Sequence, residues 1–264
     1  MSTLAGVLGF PVRHSRSPAM MNAAFGELGL DWRYLGLPVP PERFAETVRA
    51  LPASGYRAAN VTIPHKLAAR ELADELSDAA REIGAVNTLT LGEDGRIAGD
   101  NTDAGGLLDA LGEPLPETAL VLGAGGAARA AAWALAGAGV EVTVWNRTPS
   151  RAASLAEELG VRAAERPGAA ELLVNATSVG LGPEDSLEGL PLVDARVVVE
   201  LVYGDVPTPV ARWAGERGAR LVDGLEVLVR QGARSLALWT GREAPVEAMR
   251  RALVQGASST SDQV

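Results

Sequence analysis

Short apolar runs alternate along the chain with stretches whose apolar residues recur at helical spacing. That alternation predicts an α/β protein built on parallel sheets covered by helices. In the first part, residues 4–9 read as a strand closed by a Gly-Phe-Pro turn, and 18–29 as a helix whose start is marked by Ser17-Pro18. A strand over 31–38 and a helix over 41–51 follow. Residues 58–63 form a strand stopped by Pro64, succeeded by helices over 66–76 and 77–84. Residues 87–92 then turn through Glu93-Asp-Gly95 into 96–99, a hairpin. A second series begins with strands at 118–122, 140–145, 172–175, 197–201 and 220–222, separated by helices at 125–137, 151–159 and 208–217. A long helix over 225–240 returns to the first part.

The expected architecture is therefore two α/β lobes with a cleft between them. Residues 1–103, completed by the C-terminal helices 225–264, form a substrate-binding and catalytic domain. Residues 104–224 form a Rossmann-type dinucleotide-binding domain, with crossing segments near 104–115 and 223–225. The small polar stretch 256–264 is expected to fray.

Composition narrows the chemistry. A chain of 264 residues, 47% hydrophobic and 22% charged, is that of a soluble globular protein. With no cysteine there is no disulfide framework, thiolate nucleophile or cysteine zinc site. Two histidines, His14 and His65, are too few and too far apart to suggest a metal site. A net charge of −9 argues against nucleic-acid or acidic-membrane binding, so an anionic substrate needs a locally built site. The opening Met1-Ser-Thr-Leu-Ala-Gly-Val-Leu-Gly9 has no basic leader, and no stretch approaches a membrane span. The expected compartment is the cytoplasm, where the glycosylation triplets at Asn60, Asn146 and Asn175 carry no meaning.

One residue stands apart. The chain has 23 arginines and a single lysine, Lys66. Arginine serves wherever a solvated cation suffices, but it cannot release its proton, whereas a lysine amine in a partly dry site can. A surface lysine left over in an arginine-rich chain is the plain alternative. The setting Asn60-Val-Thr-Ile-Pro-His-Lys66 points instead to catalysis.

Gly123-Ala-Gly-Gly-Ala-Ala128 follows an apolar strand and opens a helix, the context a dinucleotide fingerprint requires. Gly123 would allow the tight turn, Gly125 the approach of a pyrophosphate to free backbone N–H groups, and Ala128 close packing of helix on strand. No Gly-Lys-Ser/Thr follows, which removes a P-loop. The next strand ends in Trp145-Asn-Arg-Thr-Pro-Ser-Arg151, without the acid that would hold a ribose 2′-hydroxyl. Arg147 and Arg151 suit a 2′-phosphate, so NADP is favoured over NAD. Two arginines covering a loop is the plainer reading of the same pair.

Further segments complete a pattern: Gly9-Phe-Pro-Val-Arg-His-Ser-Arg-Ser-Pro18, Gly84-Ala-Val-Asn-Thr88, Gly99-Asp-Asn-Thr-Asp103, Asn175-Ala-Thr-Ser178 and Trp239-Thr-Gly241. With the glycine turn and the lysine segment, in this order and over nearly the whole chain, the sequence closely resembles the shikimate dehydrogenase family. The resemblance implies an oxidoreductase of aromatic amino acid (chorismate) biosynthesis, reducing 3-dehydroshikimate to shikimate with NADPH. Lys66 and Asp103 match its catalytic pair. An alkoxide formed by hydride addition needs a proton donor or a cation, and in the absence of metal ligands a lysine answers that need.

By the same carry-over, Ser15 and Ser17, with Tyr203, would hold the substrate carboxylate. Thr62, Asn87 and Gln231, together with Lys66 and Asp103, would bind its ring hydroxyls. The cofactor would meet Gly123, Ala124, Gly125, Gly126, Ala127, Asn146, Arg147, Thr148, Arg151, Thr177, Leu201 and Gly224. Structural readings stand beside several of these: Asp103 and Ser17 as helix caps, Asn87 as a turn residue, Gln231 as a solvated helix position. His14 and His65 receive structural roles. Where the family shows Gly-Leu-Gly-Met-Leu-Val this chain has Gly224-Leu-Glu-Val-Leu-Val229, so Glu226 and Val227 bear on how the nicotinamide fits. Asp205 and Val206 vary a loop that is usually richer in proline. A quinate/shikimate dehydrogenase using NAD, and a catalytically silent NADP-binding sensor, are the alternatives. Monomer and homodimer are both compatible with the sequence.

Overall fold

The computed structural model describes residues 2–182 and 186–258. The chain divides into two compact units, Met1–Thr102 with Leu228–Val264, and Asp103–Val227.

The first unit carries β1 (Thr3–Gly9), α1 (Ser17–Glu27), β2 (Trp32–Pro38), α2 (Phe44–Ala50), β3 (Tyr56–Val61), α3 (Lys66–Leu72), β4 (Glu75–Leu76), α4 (Asp78–Ile83), β5 (Thr88–Leu91) and β6 (Ile97–Asp100). Its six strands lie in the order β2-β1-β3-β5-β6-β4. The sheet is mixed rather than purely parallel. β1 runs parallel to β2 and β3, but the short Glu93-Asp94-Gly95 turn forces β5 and β6 to run antiparallel to each other, and β5 pairs antiparallel with β3. Gly95 takes a positive φ of 84° in that turn, a conformation other side chains resist. Leu8, Val48, Ala59, Val61, Val86, Leu89 and Ile97 form part of the core on one side of this sheet.

The second unit carries α5 (Asp103–Leu111), β7 (Thr118–Leu122), α6 (Gly126–Gly137), β8 (Glu141–Trp145), α7 (Pro149–Leu159), β9 (Arg162–Ala163), β10 (Leu172–Asn175), β11 (Val197–Glu200), α8 (Pro209–Glu216) and β12 (Arg220–Val222). All its strand pairs are parallel, in the order β12-β11-β10-β7-β8-β9. The central strands read as unbroken apolar runs because both faces are covered. Leu172, Leu173 and Val174 are fully buried; at about 1.5–3 kcal/mol each, their burial outweighs the cost of enclosing one bonded amide at Asn175. The alanines of α6 let that helix sit close on the sheet: Ala128, Ala131 and Ala132 join Val121 and Val174 in the core.

Helix α9 (Gly224–Thr240) begins in the second unit and ends in the first, and α10 (Val246–Ser258) packs on α1. Among the described residues no helix is long and apolar enough to cross a membrane, and no cluster of potential metal ligands occurs.

Several expectations need correction. The helix expected over 66–76 stops at Leu72, because the Arg49 guanidinium takes the Leu72 carbonyl and both carboxylate oxygens of Asp74. The Asp74 N–H then bonds the Ile97 carbonyl, and Glu75–Leu76 add a strand parallel to β6. Ser17 is not an N-cap: it lies inside α1, and its own N–H is accepted by the Ser15 hydroxyl at 3.3 Å. Residues 256–258, expected to fray, close α10, which lies among the C-terminal helices expected over 225–264. Residues 259–264 lie outside the described residues.

Candidate active site

Parallel pairing brings the C-terminal ends of β1 and β3 side by side, with Leu8 opposite Val61. Gly9 is required there, since a Cβ would collide with the Thr62 methyl. The Thr62 N–H bonds the Leu8 carbonyl at 2.9 Å, and the Thr62 carbonyl accepts the His65 N–H, making a tight turn into α3. His65 pins that turn. Its ring is 2% exposed, stacks on Phe44 at 4.4 Å, and its Nε2–H donates to the Val39 carbonyl at 2.7 Å. Burial holds its pKa below the usual histidine range, which keeps it neutral and suits the anchoring role expected for it. His14 is exposed and accepts from Arg13.

Lys66, half-buried, is the first residue of α3. A cation at a helix N-terminus opposes the helix dipole by about 0.3–1 kcal/mol, so helix stability does not explain a lysine there. Its carbonyl accepts the Val86 N–H at 2.9 Å, joining its turn to the segment that carries Asn87.

Asn87 is neither a turn residue on the surface nor free to rotate its amide. It is 2% exposed. Its Oδ1 accepts the Thr102 N–H at 2.7 Å and the Thr88 hydroxyl at 2.9 Å. A backbone N–H can only donate, so the oxygen faces the Thr102 N–H, while the amide nitrogen donates to the Thr102 hydroxyl at 3.0 Å. That nitrogen donates toward the Gln231 Oε1 at 3.4 Å. Gln231, for which a solvated helix position was the plain alternative, is 8% exposed, and its Nε2 is committed to the Leu228 carbonyl.

Around this pair runs a buried network that the sequence reading did not assign: Asn60 bonds Tyr34, Thr88 and Ser235, and the Thr88, Thr102 and Ser235 hydroxyls lie 3.0–3.1 Å apart. The signal was in plain sight, since Asn60, Thr88 and Thr102 lie within the motif segments; only α9's Ser235 gave no local cue. Ser15 and Ser17, partly and fully buried, sit at the start of α1, where Arg16 donates to the Leu253 carbonyl of α10.

In the second unit the glycine turn follows β7. Gly123 has φ +116°, and a Cβ there would stand 2.7 Å from the Ala176 carbonyl oxygen. Its N–H bonds the Trp145 carbonyl at 2.7 Å, locking the turn against the end of β8. Gly125 is exposed with open space where a Cβ would project, and Gly126 and Ala127 open α6 with Ala124 before them. Such a helix start presents backbone N–H groups to an anion.

Beyond β8, Asn146 donates to the Thr148 carbonyl, and Arg147, Thr148 and Arg151 are exposed. Thr177 lies in the turn after β10, its hydroxyl bonded to Asn175 Oδ1 at 2.7 Å. Leu201 follows β11, and Gly224 fits beneath it only because a Cβ would meet the Leu201 carbonyl oxygen at 2.7 Å. Val227 is buried in the core of this unit, and Glu226 follows the Asp223 carboxylate that accepts the first N–H groups of α9. Asp103 opens α5, and Tyr203 lies half-buried past β11.

Family models match three stretches: the shikimate dehydrogenase substrate binding domain over residues 7–89, shikimate / quinate 5-dehydrogenase over 110–176, and the shikimate 5'-dehydrogenase C-terminal domain over 224–254. The chain is 47% identical to a shikimate dehydrogenase (NADP(+)) of Anaeromyxobacter sp. (strain Fw109-5), covering 98% of each chain. It is 49% identical to that of Thermus thermophilus, covering 94% of this chain and 97% of the relative. The crystal structure of a shikimate 5-dehydrogenase from Thermus thermophilus in complex with NADP(H) and shikimate superposes with a TM-score of 0.88 at 45% identity, covering 96% of this chain and 99% of that one. Likeness of this degree, in sequence and in backbone over almost the full length, makes the chain a member of the shikimate dehydrogenase family.

Proposed function

We propose that this protein catalyses the reversible reduction of 3-dehydroshikimate to shikimate with NADPH, using Lys66 and Asp103 as its catalytic residues. The observation that carries the reading is a buried Asn87 amide, its orientation fixed by the Thr102 N–H, on a segment tied by a backbone bond to the Lys66 turn. A polyhydroxylated acid needs such partners, because each buried polar group left unbonded costs about 1–3 kcal/mol.

The dinucleotide, when bound, supplies the hydride. Lys66 then gives a proton to the oxygen of the substrate's nascent alkoxide, and takes it back in the oxidative direction. Asp103 binds a ring hydroxyl and balances the lysine charge; Thr62, Asn87 and Gln231 hold the remaining hydroxyls. Ser15, Ser17 and Tyr203 hold the carboxylate. The residues of the second unit fit the cofactor: an open Gly125 at a helix start, and exposed Arg147 and Arg151 with no acid at the end of β8. Those two guanidinium groups are assigned the 2′-phosphate, and Gly123, Ala124, Gly126, Ala127, Asn146, Thr148, Thr177, Leu201 and Gly224 line the rest. The cytoplasm is the compartment this reading assigns, and each chain carries a full set of residues whether monomer or homodimer.

The test is direct: incubation with shikimate and either NADP or NAD, followed at the reduced-nicotinamide absorbance band. Turnover with NADP well above NAD is expected. Comparable turnover of quinate with NAD would favour the broader quinate/shikimate enzyme, and binding without turnover would favour a sensor.

Ser15→Ala and Ser17→Ala are expected to raise KM for shikimate with little change in KM for NADP, since both hydroxyls are assigned to the acid alone. An unaltered kcat/KM would leave Ser15 only its bond to the Ser17 N–H.

A further inference from the structure

We propose that Glu200 is a positioning residue for the cofactor site, its ionised carboxylate holding the Thr177 turn and the Leu201–Tyr203 segment in register. The proposal rests on the NADP reading above. Glu200 ends β11 at 1% exposure, an acid closing an otherwise apolar Val-Val-Val run. Four hydrogen bonds converge on it from three segments: Asn175 Nδ2 donates to both oxygens at 2.9 and 3.0 Å, the Val202 N–H to Oε1 at 2.9 Å, and the Thr208 hydroxyl to Oε2 at 2.8 Å.

Each donor leads to a neighbour of the cofactor site. Because the carboxylate only accepts, the Asn175 amide must turn its oxygen away, and that oxygen takes both the N–H and the hydroxyl of Thr177. The Thr177 hydroxyl in turn accepts the Val179 N–H at 3.1 Å. The same turn places the Ala176 carbonyl against Gly123. Val202 stands between Leu201 and Tyr203, and Thr208 caps α8 by accepting the Ala211 N–H.

Protonation breaks this logic at one point. A neutral carboxyl must donate its own proton, and the Thr208 hydroxyl is the only one of these partners able to reverse as placed: the Asn175 Nδ2 and the Val202 N–H cannot accept, and the Asn175 Oδ1 is turned to Thr177. Burial pushes the Glu200 carboxyl up to about 7, opposed by the bonds from Asn175, Val202 and Thr208. Charged groups on the surrounding elements are engaged elsewhere. Arg212 of α8 donates to the Pro207 carbonyl, Arg196 pairs with Glu171 at the opposite strand ends, Asp223 caps α9, and Asp205 is exposed. The carboxylate is therefore ionised, and its four acceptor bonds complete, above about pH 7; below it the arrangement loosens.

Titrating NADPH by its fluorescence from about pH 6 to about pH 8.5 tests this. The parent protein is expected to bind roughly tenfold more tightly at the alkaline end, the worth of one charge-assisted bond. Glu200→Gln, which mimics the protonated form, should bind at the weak level throughout. It should retain only the slope of the ligand's own phosphate, which titrates near about 6 and is common to both proteins. Thr208→Ala removes a donor to the ionised form and should move the midpoint to higher pH; it decides the matter if Glu200→Gln does not fold. Parent-like affinity and pH profile in Glu200→Gln, or an unmoved midpoint in Thr208→Ala, would overturn the role of Glu200 and leave the cofactor reading intact. Absence of NADPH binding by the parent protein would overturn both.

Discussion

Lys66→Arg is expected to lower kcat by about 10²–10⁴, the range for a positioned acid or base, with cofactor affinity nearly unchanged. The substitution keeps the positive charge and removes a group able to release a proton, and its planar head cannot occupy the position of a tetrahedral ammonium. Lys66 opens α3 on a turn held by the buried His65 ring, so the backbone that carries the variant stays in place. If the residue served only to attract an anion, arginine would retain most of the activity. Composition supplies an independent check: with one lysine in the chain, an amine-directed reagent can modify only Lys66 and the N-terminus. Labelling should abolish turnover, and saturating shikimate should protect. A fully active Lys66→Arg enzyme, or inactivation that shikimate does not slow, removes Lys66 from the mechanism.

The second large effect concerns cofactor choice. Arg147→Ala should weaken NADP binding by about 1.5–3 kcal/mol, roughly 10–150-fold, the worth of a hydrogen bond to a charged group. NAD binding should hardly change, because only NADP carries the 2′-phosphate. Arg147 is exposed just beyond β8, and the nearest turn is locked by the Gly123 N–H to the Trp145 carbonyl, so truncation leaves the backbone undisturbed. Equal losses for both cofactors, measured by titration, would remove Arg147 from that phosphate.

Much of this molecule was legible in the sequence, for identifiable reasons. The second unit's strands are buried on both faces and therefore appear as bare apolar runs, and its glycine turn is marked by the strand before it and the helix after it. The single lysine was conspicuous against 23 arginines. What escaped depends on distant partners. Whether residues 73–76 continue a helix is decided by Arg49, more than twenty positions earlier. The orientation of Asn87 is set by Thr102, and the burial of Gln231 by residues far away along the chain. Glu200 does not stand out within the strand expected over 197–201; only the convergence of Asn175, Val202 and Thr208 gives it a task. The C-terminal helices were expected over 225–264, but the bounds of α10 were not, since Ala248, Met249 and Leu253 give its buried face a weak pattern.

The discontinuous first unit has a consequence for the order of assembly. Residues 103–227 close their sheet from one contiguous run, so this unit can form as soon as that run has been made. The flanking unit cannot be completed so early. Asn60 waits for Ser235, 175 positions downstream, and Arg16 for the Leu253 carbonyl, 237 positions away. Each doubling of such a loop adds only about 0.6 kcal/mol of closure entropy, so the delay is one of sequence rather than stability. During synthesis from the N-terminus, the half made first is the half finished last. Its β1–β3 scaffold and buried hydroxyls stay without their α9 and α10 partners until the second unit is already able to fold.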